Sequence, residues 1–195
     1  VKERTDEFVE DVRMLFVPET NDSAVYYAYR KEFNLCRDDY RRAVLFLYLN
    51  RHCYNGLCRY NLSGEFNVPF GRYRRPYFPQ DEIYWFAERA QQATFVCESY
   101  DVTLGKAQTG AVVYCDPPYA PLSTTANFTA YHTNSFSMRE QQHLVELATM
   151  LANEHSITVL ISNHDTPLTR QWYEGAILHE IKVRRSISRS GNTRS

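Results

Sequence analysis

Val112-Val113-Tyr114-Cys115-Asp116-Pro117-Pro118-Tyr119 decides the fold, because an apolar, β-rich run breaks off there at an acid, two prolines and a ring. The apolar run reads as a buried strand. Two consecutive prolines fix φ at about −65° each and remove two backbone donors, leaving their carbonyl oxygens as acceptors on a stiff support. In open α/β sheets ligands bind beyond the carboxyl ends of the strands, so residues 116–119 stand where a site belongs.

Working outward, the second half alternates strand and helix. Residues 94–97, 111–115 and 157–162 read as strands, and 177–187 alternates loosely. Ser137-Met138-Arg139-Glu140 is a capping-box sequence, opening a helix with Leu144, Leu147, Ala148 and Leu151 on one face. Thr166 before Pro167 predicts an N-cap and first-turn proline. Buried strands with crossover helices mean an α/β sheet.

The first half reads as helical. Phe8, Val12, Leu15 and Phe16 recur at helical spacing, as do Val25, Tyr29 and Phe33, then Val44, Leu45, Tyr48 and Leu49, with Pro18 separating the first two runs. Residues 54–79 carry Gly56, Gly64, Gly71 and three prolines among aromatics, which predicts a turn-rich region bearing a β-hairpin. A further helix is expected over 81–92, with Ile83, Phe86, Ala87 and Ala90 inward. Residues 1–93 are thus expected to form a mainly helical recognition region and 94–195 a catalytic α/β region.

Size and composition bound the rest. A chain of 195 residues with 44% hydrophobic content suits a globular protein with a substantial core. No stretch reaches the roughly 20 apolar residues of a bilayer-spanning helix and the first residues are charged, so no membrane association and a cytoplasmic location are expected. Cys36, Cys53, Cys58, Cys97 and Cys115 form no C-x-x-C pair, and the six histidines fall at no ligand spacing with them, so no metal site is expected.

Net charge is −1, yet unevenly spread. Residues 1–22 hold three basic and seven acidic groups, residues 51–75 five arginines against Glu65, and residues 181–195 five basic groups against no acid. Such runs are ordinarily solvated faces. In 51–75, however, the arginines interleave with Tyr54, Tyr60, Phe66, Phe70 and Tyr73 and with Asn55, Asn61 and Asn67. Charge, stacking surface and amide groups are what base and phosphate contacts use.

The 116–119 loop suits one difficult reaction. An exocyclic amino group on adenine or cytosine is a poor nucleophile because its lone pair is delocalised into the ring. If Asp116 and the Pro117 carbonyl each accept one N–H, the nitrogen can pyramidalise toward a methyl donor. Tyr119 would stack on the base once it is extruded from the duplex. The plain alternative is a turn with an exposed acid; the preceding strand and the base-reading segment favour the chemical one.

The chain resembles the Dam-type DNA adenine methyltransferases, a D12-class family with a class-I, Rossmann-like fold that uses S-adenosylmethionine and methylates adenine in double-stranded GATC. The resemblance covers essentially all 195 residues and rests on Phe16-Val17-Pro18-Glu19-Thr20, residues 41–61, 64–73, 114–122 and 159–166. It implies catalytic roles for Asp116, Pro117, Pro118 and Tyr119, and cofactor binding by Ser99, Tyr100 and Asp116. It further implies that Arg59 reads a guanine edge beside Leu57 and Pro69. Tyr54 would intercalate, Asn55 would attend to the orphaned partner base, and Arg30, Arg51, Asn61 and Arg72 would contact bases or phosphates. Phe128, Tyr131 and Phe136 would border the target base, although spaced aromatics are more often core. A monomer suffices to flip one base.

The sequence departs from the family in one respect. The family's glycine-rich cofactor loop precedes the recognition region, whereas the seven glycines here, at 56, 64, 71, 105, 110, 175 and 191, form no G-x-G. The sequence therefore reads as an internal piece lacking the N-terminal cofactor-loop segment, expected to bind S-adenosylmethionine poorly by itself. Calorimetric binding at micromolar affinity would contradict that expectation. Cytosine N4 or RNA adenine as acceptor, and a DNA-binding module without catalysis, are the competing readings; single-stranded loops and 2′-hydroxyl contacts, which RNA readers use, have no counterpart here.

Overall fold

A computed structural model describes residues 1–120 and 136–182. The described residues fall into two compact units, 1–98, and 99–120 with 136–182. Among them no helix is long and apolar enough to cross a membrane.

The first unit is built on helices α1 (Thr5–Arg13), α2 (Ser23–Leu35), α3 (Asp39–His52) and α4 (Gln80–Ala90). Asp22 caps α2 by accepting from the amides of Ala24 and Val25, at 2.7 and 3.2 Å, and Asp38 caps α3 by accepting from the Arg41 amide at 2.6 Å. Helix α3 is the centre. Its Val44, Leu45, Tyr48 and Leu49 are buried as their spacing predicts, and α1 and α2 pack on it through Phe8, Val9, Val12, Tyr26 and Phe33. Helix α4 buries Ile83, Ala87 and Ala90 but not the expected Phe86. Phe86 lies at the rim of that stripe, its ring 6.1 Å from that of Phe95.

Residues 54–79 fold back without a continuous hairpin. Only the isolated antiparallel bridges Cys53↔Phe70 and Tyr60↔Phe66 form among the described residues. Helix α2 takes over the ladder's work. Asn34 brackets Phe66, accepting from its amide at 2.9 Å and donating to its carbonyl at 3.2 Å, while Tyr26 and Arg30 each donate to the Val68 carbonyl at 2.9 Å. Positions 26, 30 and 34 line one helix face, so one stripe of α2 satisfies backbone that would otherwise need a second strand.

His52, at the end of α3, is buried, its ring stacked on Tyr48 at 3.9 Å and edge-on to Phe16 at 4.9 Å. Its Nδ1–H donates to the Tyr48 carbonyl at 2.8 Å. Burial holds its pKa down to about 4, against 6.5 in the open chain. The folded state therefore favours neutral imidazole, and the unfolded chain takes up the proton first. This contribution to stability is whole above pH 6.5 and is lost as pH falls toward 4. Urea midpoints measured across that window should fall for the wild type and fall less steeply for His52→Phe; parallel curves would show that His52 is not the titrating group.

In the second unit, β1 (Val112–Cys115) pairs in parallel with β2 (Thr158–Ile161) in the register Val112↔Thr158 to Cys115↔Ile161, joined through α6 (Met138–Glu154). The unit is thus mixed α/β with a small parallel sheet. The predicted capping box is present, Ser137 and Glu140 bonding reciprocally at the start of α6. Leu144, Ala148 and Leu151 are buried, and Leu144 and Leu151 join Leu104 and Ile157 over Val113, Cys115, Val159 and Ile161 on one sheet face. On the other face Val112, Tyr114 and Leu160 are exposed. Helix α7 (Pro167–Trp172) begins with Thr166 as N-cap and Pro167 in the first turn, as the sequence predicts.

The strand expected over 94–97 does not form. Phe95 and Val96 are 65% and 61% exposed, and among the described residues no neighbouring strand supplies ladder hydrogen bonds. Residues 177–182 likewise form no strand, and 183–187 lie outside the described residues. The short helix α5 (Tyr100–Leu104) has too few residues to display a periodicity in sequence.

Candidate functional site

The loop after β1 is fixed from β2 and α6. Because the strands are parallel and in register, the residues that follow Ile161 emerge beside those that follow Cys115. The Ser162 hydroxyl donates to Asp116 Oδ1 at 2.6 Å. Asn163 Oδ1 accepts from the Ala120 amide at 2.9 Å and from the His164 amide at 2.8 Å. His164 Nδ1 lies 2.6 Å from the Ala120 carbonyl, so this nitrogen carries the proton. Gln141, fully buried on α6, donates through Nε2 to the Pro118 carbonyl at 2.6 Å and accepts at Oε1 from Asn163 Nδ2 at 3.1 Å.

Asp116 is exposed beyond β1, Pro117 is half-buried and Pro118 is exposed. Tyr119 is half-buried, its ring edge-to-face with His164 at 5.1 Å. Among the described residues the Pro117 carbonyl accepts no hydrogen bond, whereas that of Pro118 is taken by Gln141. The loop therefore offers a carboxylate and one carbonyl oxygen, the two acceptors a planar amino group needs.

Ser99 follows no strand, since 94–97 does not form one, and instead precedes α5. It hydrogen-bonds Asp101, the foremost cause holding that carboxyl below its ordinary range. Tyr100 packs on the cluster that includes Val113 and Cys115, with its hydroxyl 3.0 Å from His143 Nδ1 and its ring 5.4 Å from Phe136. Phe136 belongs to that core; Phe128 and Tyr131 lie outside the described residues.

The residues singled out for DNA gather on the first unit. Tyr54-Asn55-Gly56-Leu57 is a tight turn with left-handed φ of 53° at Asn55 and 61° at Gly56, closed from the Leu57 amide to the Tyr54 carbonyl at 3.3 Å. Tyr54 and Asn55 are exposed there, and the Asn55 amide donates to the Tyr73 hydroxyl at 2.9 Å. Leu57 is half-buried against the core, while Pro69 and Arg72 are exposed. Exposed Arg59 donates to the Asn67 side chain at 2.7 Å and to its carbonyl at 3.1 Å. Asn61 organises the 61–65 turn by accepting from the amides of Ser63 and Glu65. Arg30 is committed in part to the Val68 carbonyl and lies 4.6 Å from the Tyr27 ring centre. Half-buried Arg51 sits 5.7 Å over Tyr77, and its Nε has no hydrogen-bond partner among the described residues.

Gln141, Ser162, Asn163 and His164 received no role from the sequence. Their signal was a second polar cluster, Ser162-Asn163-His164, placed directly after an apolar strand, as Asp116 is.

A carboxylate and a carbonyl held at the end of a parallel strand suit an enzyme that acts on a planar amino group. The chain belongs to the D12 class of N6 adenine-specific DNA methyltransferases, whose family model matches residues 1–187. It is 67% identical over 194 residues to the DNA adenine methylase of Salmonella typhi, and 66% identical over 194 residues to that of Escherichia coli strain K12. Each alignment covers 100% of this chain and 69% of the relative. Identity to the DNA adenine methylase of Vibrio cholerae strain N16961 is 51% over 195 residues, or 70% of that protein. The protein is a DNA adenine methyltransferase acting at N6, and the family implies S-adenosylmethionine as methyl donor.

Proposed function

We propose that the protein methylates adenine within double-stranded GATC, with Asp116 and the Pro117 carbonyl each accepting one N–H of the extruded base and Tyr119 stacking on it. The observation that carries this reading is the fixed loop, in which Ser162 occupies one oxygen of Asp116 and Gln141 occupies the Pro118 carbonyl. The donor supplies an electrophilic methyl on a sulfonium centre. Of the residues assigned to it, the exposed carboxylate of Asp116 would offer charge and the Tyr100 ring, packed on the cluster that includes Val113 and Cys115, an aromatic surface, while the Ser99 side chain is engaged by Asp101. The protein's own work is then to orient the amino group and keep its lone pair directed.

Residues 54–75 would read the site. Arg59 forks onto guanine beside Leu57 and Pro69, Tyr54 enters the stack, Asn55 meets the orphaned base, and Arg30, Arg51, Asn61 and Arg72 contribute base or phosphate contacts. Arg59 is expected to exchange its bonds to Asn67 for guanine. Arg59→Ala should therefore lower discrimination between GATC and a duplex altered at the guanine by roughly tenfold to hundredfold. Competition binding with the two duplexes measures this, and an unchanged ratio would remove Arg59 from the readout.

We further infer that β1 and β2 belong to a larger Rossmann-like sheet, since parallel sheets are covered on both faces and Val112, Tyr114 and Leu160 are exposed here. The first unit would be the recognition region and the second the catalytic one. One copy would suffice for a single flipped base, and DNA as the substrate would put the enzyme in the cytoplasm at the nucleoid.

A further inference from the structure

We propose that Gln141 and Asn163 form a positioning relay for methyl transfer, in which the two side-chain amides together decide which carbonyl of the loop is left to meet the substrate amino group. The inference rests on the reading of Asp116 and Pro117 given above.

The polarity of the relay is set by backbone groups that have no choice. The amides of Ala120 and His164 are donors, so the atom of Asn163 that meets them is its oxygen. Asn163 must then turn its NH2 toward Gln141, whose oxygen accepts it, leaving the Gln141 NH2 to donate to the Pro118 carbonyl. Each amide has one orientation, and the chain of bonds ends on a loop oxygen. Gln141 is fully buried and Asn163 half-buried, so a reversed amide would set oxygen against oxygen with little water to relieve it.

The consequence is geometric. A proline fixes its own φ but leaves ψ to its surroundings. With the Pro118 carbonyl drawn onto Gln141 and both backbone groups of Ala120 held by Asn163 and His164, the loop is anchored at its centre and its far end. Ser162 anchors the near end through Asp116. The carbonyl that remains for a ligand is that of Pro117. Neither Gln141 nor Asn163 need touch the substrate, and both act through the loop.

A relay that works by donor and acceptor identity predicts a result that a merely space-filling role does not. Gln141→Glu keeps the shape and the acceptor for Asn163, but an ionised carboxylate presents an oxygen to the Pro118 carbonyl. Protonation restores a donor there, and burial raises the pKa of such a carboxyl toward the working range. Asn163→Asp likewise keeps the two backbone bonds and loses only the donor to Gln141. Gln141→Leu supplies no donor at any pH. The titratable groups on the surrounding elements, His164, Asp116, Cys115, Tyr119, Glu140, His143 and Tyr173, whose hydroxyl faces the Asn163 side chain, are common to all the variants. The difference between the profiles of a variant and the wild type therefore isolates the new group.

The test measures methyl transfer to a GATC duplex by the full-length protein between about pH 6 and pH 8.5, a range spanning the raised carboxyl pKa. Wild type, Gln141→Glu, Asn163→Asp, Gln141→Leu and Asp116→Ala are compared. At the alkaline end kcat should fall about 10- to 100-fold in both acidic variants, a loss of the size that misplaced reacting groups produce, with KM for DNA and donor nearly unchanged. On acidification kcat of Gln141→Glu should rise toward the wild-type profile, while Asn163→Asp, whose carboxylate is kept ionised by the two backbone N–H groups it accepts from, and Gln141→Leu stay low throughout. Wild-type kcat and pH dependence in Gln141→Glu would overturn the relay, as would a loss in that variant that acid does not restore. If Gln141→Leu does not fold, the acid recovery of Gln141→Glu, set against its absence in Asn163→Asp, still decides the matter. Full activity of Asp116→Ala would instead overturn the reading of the loop itself, so the two failures are distinguishable.

Discussion

Replacing Asp116 with alanine is expected to lower methyl transfer by roughly 10²–10³-fold, the loss seen when one preorganised electrostatic contact to a reacting group is removed. The amino nitrogen must give up conjugation with its ring before it can attack, and two acceptors on its N–H groups make that geometry available. Without Asp116 only the Pro117 carbonyl remains. Asp116 is exposed at a strand end and bonded through one oxygen to Ser162, so its loss should hardly change thermal stability or the Kd for DNA. Asp116→Asn keeps one acceptor oxygen and should lose less than Asp116→Ala. Single-turnover rates on a GATC duplex separate chemistry from binding. A normal rate in the alanine variant would show that another group receives the proton-bearing nitrogen.

The second large effect concerns Gly71, where the backbone runs too close to Cys53 to admit a Cβ. A Cβ there would stand 2.5 Å from the Cys53 carbonyl oxygen and 2.8 Å from its carbon, and both are backbone that cannot swing aside. The Gly71 amide donates to the His52 carbonyl at 2.8 Å, next to the Cys53↔Phe70 bridge. Gly71→Ala must therefore push the two segments apart, at a cost of about 3 kcal/mol by the measure of overpacked cores. That movement would also displace the turn carrying Tyr54 and Asn55. The expected result is a lowered urea midpoint together with weakened binding to a GATC duplex by fluorescence anisotropy. Gly105→Ala is the control, because its Cβ meets nothing closer than 3.3 Å. Unchanged stability and binding in Gly71→Ala would mean that the segment does not depend on this contact.

What could be read from the sequence was what is local. Val112 to Tyr119 announces a strand and a stiff acceptor loop because composition and order are enough to specify both. The faces of α1, α3 and α6 follow from periodicity, that of α2 only in part because Tyr26 rather than Val25 or Tyr29 is fully buried beside Phe33, and the caps at Ser137 and Thr166 follow from short-range hydrogen bonding. The readings that failed depended on partners distant in sequence. Phe95 and Val96 have strand composition, but a strand exists only where another supplies the ladder. The hairpin expected across 54–79 gave way to side chains of α2, and nothing about Asn34 in sequence says that it will bond Phe66. Gln141 reads as an ordinary polar residue in the first turn of a helix; only the parallel register of β1 and β2 brings Asn163 and Pro118 to it. Arg30 shows the opposite case, a basic residue singled out for DNA that also holds the recognition segment together.

The central claim is that one enzyme joins a GATC-reading segment in the first unit to an amino-methylating loop in the second. Its most direct test is labelled methyl transfer from S-adenosylmethionine by the full-length protein to a duplex with one GATC and to duplexes altered there one base at a time, with the product analysed as nucleosides. The expected product is N6-methyladenine at the GATC adenine, with a steep loss at each altered base. Equal labelling of GATC and scrambled duplexes, or label recovered in cytosine, would contradict it.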